Sequence, residues 1–176
     1  MLMFDIETNG LLKEVNVLHC MCVYDTENQK MYRFDPTNVE GGVKMLQDEI
    51  DRGGMLCGHN IIEYDIPALE KLYPHLFHIS YEQQKQVVHT PVLALMKSGK
   101  LPKTLYKSHK LMAWGYRLGV LKGTYGEQED AWAVYNPEML DYNEQDVWVT
   151  KALYEKLTTK SYSKRAIELE HQVAWL

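Results

Sequence analysis

Asp5 and Glu7 stand two residues apart in the run Leu2-Met3-Phe4-Asp5-Ile6-Glu7-Thr8, and this spacing restricts the fold more than any other feature of the chain. Side chains along a β-strand alternate between its two faces, so residues i and i+2 point the same way. A strand here sends both carboxylates to one face and Leu2, Phe4 and Ile6 to the other. The apolar face asks for a core. The acidic face is costly to cover, because a carboxylate taken out of water needs a cation or several hydrogen-bond donors. Two readings are open at this point: an edge strand with a solvated acidic face, and an internal strand whose acids hold a divalent cation.

A chain of 176 residues is one ordinary domain with room for a real core. Hydrophobic residues at 45% and charged residues at 24% match the usual globular balance. No apolar run approaches the roughly 20 residues of a membrane span. The amino terminus lacks a basic region and carries an acid at position 5, which argues against a secretory signal. The three cysteines read as reduced thiols in a cytosolic compartment. His19-Cys20-Met21-Cys22 has no second cluster at zinc spacing, so Cys20 and Cys22 are read as one face of a buried strand.

The net charge of −5 hides a strong asymmetry. Between Glu82 and Glu127 there is no acid, while Lys85, Lys97, Lys100, Lys103, Lys107, Lys110, Arg117 and Lys122 supply eight positive charges. Acids without bases follow, from Glu127 to Asp146. Such a split suits a phosphate backbone on one side and cations on the other. The same lysines could also serve only to solubilise a loop and a helix.

Taken in order, residues 2–7 read as a first strand ended by Asn9-Gly10. Val15 to Tyr24 and Met31 to Phe34 then return as an antiparallel meander. Val39 to Ile50 has helical spacing and stops at Gly53-Gly54. Met55-Leu56-Cys57 is a short buried strand, closed by Gly58-His59-Asn60. Asp65 begins a helix running toward Leu72, a place where an Asp is often only a cap. Val87-Val88 is a last strand, Thr90 to Met96 a helix, and the five lysines of 97–110 mark a mobile stretch. Leu111 to Leu118 is helical and ends at Gly119. Asn136-Pro137-Glu138 starts a long helix by cap, first-turn proline and dipole-compatible acid, running to about Leu157. Tyr142, Asp146, Val149 and Leu153 share its inward stripe. The final helical pattern, Ala166 to Leu176, is too short to stand alone in water. It reads as the start of a longer chain or as a segment that docks on a partner.

Four acids stand out, Asp5, Glu7, Asp65 and Asp146, on three elements that helix-over-sheet packing can bring together. The Phe4-Asp5-Ile6-Glu7-Thr8 run, the Asn60…Tyr64-Asp65 cluster and the Tyr142-x-x-x-Asp146 pair resemble the three exonuclease motifs of the DEDD superfamily. Tyr142, four residues before Asp146, points to the tyrosine subclass. The wording of Gly58-His59-Asn60, of Ser108 to Gly119 and of Asp141-Tyr142-Asn143 is similar to the N-terminal 3′–5′ proofreading exonuclease domain of phage DNA polymerases of the DNA polymerase I family. Two departures are visible. Relatives often carry Asp-Thr where this chain has His89-Thr90, and the stretch 124–136 is shorter than in close relatives.

The resemblance implies an α/β RNase H-like fold: a mixed sheet with antiparallel first three strands, flanked by helices. It implies residues 1–160 as the exonuclease domain, with 161–176 a linker and truncated helix leading toward a polymerase domain in the same or another chain. It implies hydrolysis from the 3′ end of single-stranded DNA with two divalent ions, Mg2+ or Mn2+, and, for a phage protein, the bacterial host cytoplasm. Asp5 would bridge both ions, Glu7 and Asp146 would complete one site, Asp65 would act through bound waters, and Tyr142 would orient the nucleophile. His59 and Asn60 would contact the terminal nucleotide or only shape their turn, and lysines such as Lys103 and Lys107 would track the strand. The rival readings are an RNA-processing exonuclease of the same superfamily and a non-catalytic nucleic-acid-binding module of a polymerase.

Overall fold

The computed structural model describes residues 1–98, 110–158 and 163–176. Five strands, β1 (Leu2–Thr8), β2 (Leu18–Asp25), β3 (Lys30–Phe34), β4 (Leu56–Gly58) and β5 (Val87–His89), form one sheet. Its order is β3-β2-β1-β4-β5. The β1–β2 and β2–β3 pairs are antiparallel, and β1–β4 and β4–β5 are parallel. This is the expected mixed sheet with an antiparallel meander at its start. The helices are α1 (Val39–Asp51), α2 (Asp65–Leu72), α3 (Thr90–Ser98), α4 (Leu111–Leu118), α5 (Pro137–Thr158) and α6 (Lys164–Ala174). Among the described residues no helix is long and apolar enough to cross a membrane.

β1 lies at the centre of the sheet, so both of its faces are covered and its alternation separates two cores. Leu2, Phe4 and Ile6 pack with Val43, Leu46 and Ile50 of α1 and with Ile66 and Leu69 of α2. On the opposite face Met3 joins Cys20, Cys22, Tyr24 and Cys57 beneath Met139, Leu140 and Val147 of α5. All three cysteines are free and buried, and burial pushes their thiols up, as suits inert core residues. A third cluster ties α5 to α3 and α4 through Leu93, Trp114, Val149 and Leu153. Each such side chain contributes about 1.5–3 kcal/mol when fully buried, and together they fix α5 across the acidic face of β1.

Local chemistry sets the element ends. Asn136 caps α5, its Oδ1 accepting the Met139 amide at 3.1 Å, with Pro137 in the first position. The second strand begins at Leu18, not at Val15 as the apolar pattern suggests. Asn9 is the reason: its Oδ1 accepts the amides of Asn16 and Val17 at 3.1 and 3.0 Å, holding those residues out of the ladder. α6 rests on α3 and the short 3-10 turn before β5. There the Nε2 of His171 accepts the His89 amide at 3.0 Å. That docking supplies the tertiary support an 11-residue helix needs. Residues 99–109, where most of the expected mobile stretch falls, lie outside the described residues.

Gly58 ends β4 close beside the backbone of β1. A Cβ there would lie 2.9 Å from the Phe4 carbonyl oxygen and would overlap the Ile61 side chain. The Gly58→Ala variant should lose about 1–3 kcal/mol of stability, the cost of forcing extra volume into a packed site. Urea denaturation of the two proteins side by side measures the loss.

Candidate active site

Asp5 and Glu7 follow Met3 along the face of β1 that α5 covers. From α5 comes Asp146, only 3% exposed. One carboxylate oxygen from each of Asp5, Glu7 and Asp146 lies within 4.8 Å of the others. Asp65 approaches from the side of the sheet. β4 pairs with β1 only at Leu2 and Met3, so further along that edge the Ile6 amide needs another acceptor. Asp65 Oδ1 takes it at 3.2 Å. The Asp65 carboxylate thus joins α2 to β1, and its charge is among the largest influences on Asp5. Just beyond Glu7, the Thr8 and Tyr64 hydroxyls converge on the Gly10 carbonyl at 3.1 and 2.5 Å, pinning the chain as it leaves β1.

Two further residues enter the cluster. Asn143, fully buried one turn before Asp146, donates through Nδ2 to Asp5 Oδ2 at 2.7 Å and more weakly to Glu7 Oε1 at 3.4 Å. Lys122 places its Nζ 2.6 Å from Asp146 Oδ2 and 4.9 Å from the centre of the Tyr142 ring. Tyr142 is also packed against Tyr125 and Trp132, with ring centres 5.9 and 5.7 Å away. Those two are themselves held. The Tyr125 hydroxyl donates to the Ala131 carbonyl and receives the Asn136 amide, both at 2.6 Å. His19 Nε2 meets the Trp132 carbonyl at 2.9 Å. The segment 122–132 therefore wraps the tyrosine that the motif singled out.

Charge is poorly balanced here. Burial, and then the charges of Asp65 and Asp146, raise Asp5 well above the carboxylate range. Burial and Asp146 push Glu7 up to about 8. Burial brings Asp65 to about 7 against the help of the Ile6 amide, and Asp146 to about 6 against the help of Lys122. Burial opposes the Lys122 charge, but Asp146 and Asp5 outweigh it and hold the ammonium protonated. Tyr142 is raised by burial and by Asp146, so its hydroxyl stays neutral near pH 7. Asp146 Oδ1 and Asn143 Oδ1 are buried with no hydrogen-bond partner among the described residues. A set of hard oxygen donors carrying excess negative charge, with an orphaned carboxylate oxygen, fits a divalent cation such as Mg2+.

The structure brings together Asp5, Glu7, Asp146 and Tyr142, with Asp65 beside them. His59 lies at the neighbouring turn, its Nδ1 2.8 Å from Thr90 Oγ1. Asn60 takes a left-handed conformation, φ 63°, and its carbonyl accepts the amides of Glu63 and Tyr64, both at 3.2 Å. That is the geometry of a residue that shapes a turn. Lys103 and Lys107 lie outside the described residues. His89, at one of the departures from the family wording, accepts the Ile62 amide through Nδ1 at 3.3 Å. Sequence reasoning left Lys122 as one basic residue among eight and Asn143 as part of a motif. Helical spacing does reveal Asn143, which shares the Asp146 face at i, i+3. No spacing reveals Lys122.

The raised carboxylates fix a sign. A group that holds its proton more tightly folded than unfolded destabilises the fold as pH rises from its unfolded pKa to its folded one. For Glu7 that window runs from its ordinary 4.5 to about 8. In chelator, Glu7→Gln should therefore match the parent near pH 4.5 and exceed its stability increasingly toward pH 8. The gain should be on the order of a few kcal/mol. Urea denaturation of both proteins at pH 5, 6, 7 and 8 checks this, and a difference that does not vary with pH contradicts it.

Comparison with known proteins gives the family of the fold. The model of the RNase_H superfamily matches residues 2–158. The DNA-directed DNA polymerases of Enterobacteria phage T3 and Escherichia phage T7 are 36% and 35% identical to the chain over 223 residues. These matches include all of this chain but only 32% of either polymerase, so the chain spans about a third of their length. Among solved structures, Brucella melitensis NrnC with bound Mg2+ superposes with TM-score 0.68 at 17% identity, covering 98% of this chain and 80% of that one. The catalytic core of RRP6 from Trypanosoma brucei gives 0.68 at 16% identity, covering 99% and 46%. At those identities the likeness is one of fold, and it is the mixed five-stranded sheet with flanking helices. With the family model matched from the first strand to the end of α5, the chain belongs to the RNase_H superfamily.

Proposed function

We propose that this domain is a 3′–5′ exonuclease that hydrolyses DNA with two divalent ions, Mg2+ or Mn2+, and releases nucleoside 5′-monophosphates. The carrying observation is the convergence of Asp5, Glu7 and Asp146 within 4.8 Å, with Tyr142 one helical turn before Asp146. Asp5, Glu7 and Asp146 would hold the ions, and Asp65 would add its charge from across the strand. When bound, the ions lower the pKa of the attacking water and stabilise charge on the leaving 3′-oxygen. The chain supplies the rest. Asn143 holds Asp5 and Glu7 in place. The Tyr142 hydroxyl, kept neutral, is suited to orient the attacking water and not to deprotonate it.

DNA as substrate, and editing for a polymerase domain in the same or another chain, rest on the likeness to the two phage polymerases. In this reading residues 1–160 form the exonuclease domain and 161–176 lead toward the polymerase. The protein would then work in the host cytoplasm.

Asp5→Ala and Asp146→Ala should each slow the 3′-end shortening of a 5′-labelled single-stranded DNA oligonucleotide by about a thousandfold or more. Losing a metal-held charge costs several kcal/mol of barrier, and each 1.36 kcal/mol is tenfold. Tyr142→Phe should lose less, about a hundredfold, because the acids remain. Full activity in either acid variant would overturn the metal assignment. Faster cleavage of the matched RNA oligonucleotide would overturn the assignment of DNA.

A further inference from the structure

Lys122 meets the acid cluster by construction. Its backbone follows Leu121, whose carbonyl accepts Gln145 Nε2 of α5 at 2.7 Å. One residue earlier still, the Val120 amide bonds the Gly115 carbonyl at 3.0 Å. A Cβ on Gly115 would lie 2.7 Å from the Val120 carbonyl and 3.4 Å from the Lys122 amide, so the glycine is what lets this segment lie against α4. Both anchors are backbone or α5 contacts, so the Lys122 main chain is fixed beside Asp146. Its four-carbon stem leaves the ammonium free to move.

The ammonium sits on Asp146 Oδ2 at 2.6 Å, while Asp146 Oδ1 has no hydrogen-bond partner among the described residues. Its side chain is 19% exposed, mostly withdrawn from water. Its charge also acts favourably on Asp5, Glu7 and Asp65. An ion coordinated by Asp5, Glu7 and Asp146 must therefore meet a positive charge already seated on one of its ligands.

We propose that Lys122 is an intrinsic counter-cation of this site. It neutralises the clustered acids in the metal-free protein and gives up Asp146 when a divalent ion binds, so that it sets the metal affinity. The proposal rests on the reading of the acids as metal ligands and deepens it. Lys122 is here a positioning residue, competing with the ion for one carboxylate. Its removal has two opposite effects. The metal-free fold loses its compensating charge, and the ion loses its competitor.

Calorimetric titration with Mn2+ and thermal melts in chelator test this on the whole chain, using Lys122→Met and, should Met fail to fold, Lys122→Gln. Either variant should melt lower than the parent in chelator. Either should bind Mn2+ roughly tenfold more tightly, the scale expected for removing a like charge from a partly buried site. Its melting temperature should also rise further on adding Mn2+ than the parent's does. Parent protein that binds Mn2+, together with variants of unchanged or weaker affinity, overturns the role of Lys122 while leaving the metal ligands intact. Parent protein that binds no Mn2+, with Asp146→Asn as the blank, overturns both readings.

Discussion

Mutual repulsion among four carboxylates drawn to one end of one strand is the constraint on which the rest of the molecule turns. Asp5 and Glu7 cannot turn away from each other, because strand alternation points both at α5. Asp146 cannot turn away either, because the stripe that carries it also carries Val149 and Leu153, which are fully buried. Apolar packing thus forces like charges together, and the cluster tolerates this through Lys122, Asn143 and the Ile6 amide. Such compensation is partial, which is why every one of the four carboxyls is raised. Excess negative charge held in place by packing is the condition under which a bound cation relieves the most repulsion.

The scaffold shows the same economy in its backbone. β1 is paired on both sides near its start and on one side near its end, since β4 departs after Met3. The freed edge is where Asp65 enters. The pairing of β1 with β2 also shifts register between Glu7 and Thr8, and such irregularities re-aim side chains next to sites. Gly58 permits the close passage of β4, while Thr8 and Tyr64 secure the turn beyond Glu7. Tyr142 is held in turn by an aromatic wrap from Tyr125 and Trp132. The four acids therefore arrive on three elements, β1, α2 and α5, and each of these is also held by apolar contacts that do not involve the acids.

Much of this was legible in the residues. Alternation in Leu2–Glu7 gave the two faces of β1, and the Asn136-Pro137 start with the 142, 146, 149, 153 spacing gave α5 and its inward Asp. The short strands at Leu56 and Val87 followed from brief apolar runs. The start of β2 did not follow, because Val15 is as apolar and as buried as a strand residue. What excludes it from the ladder is a side chain, Asn9, bonding to the backbone seven and eight residues on. Composition cannot register a bond of that kind.

What the sequence by itself determined is which groups carry the chemistry and which way each one points within its own strand or helix. Those are local facts, set by periods of two and 3.6 residues. Only the tertiary structure decided that Asp65 spends an oxygen on Ile6, that Asn143 bridges Asp5 and Glu7, and that one lysine of a long basic segment lies on Asp146. The reason is physical: these are contacts between elements 24 to 138 residues apart in the chain, and their partners are chosen by packing, which no local period encodes.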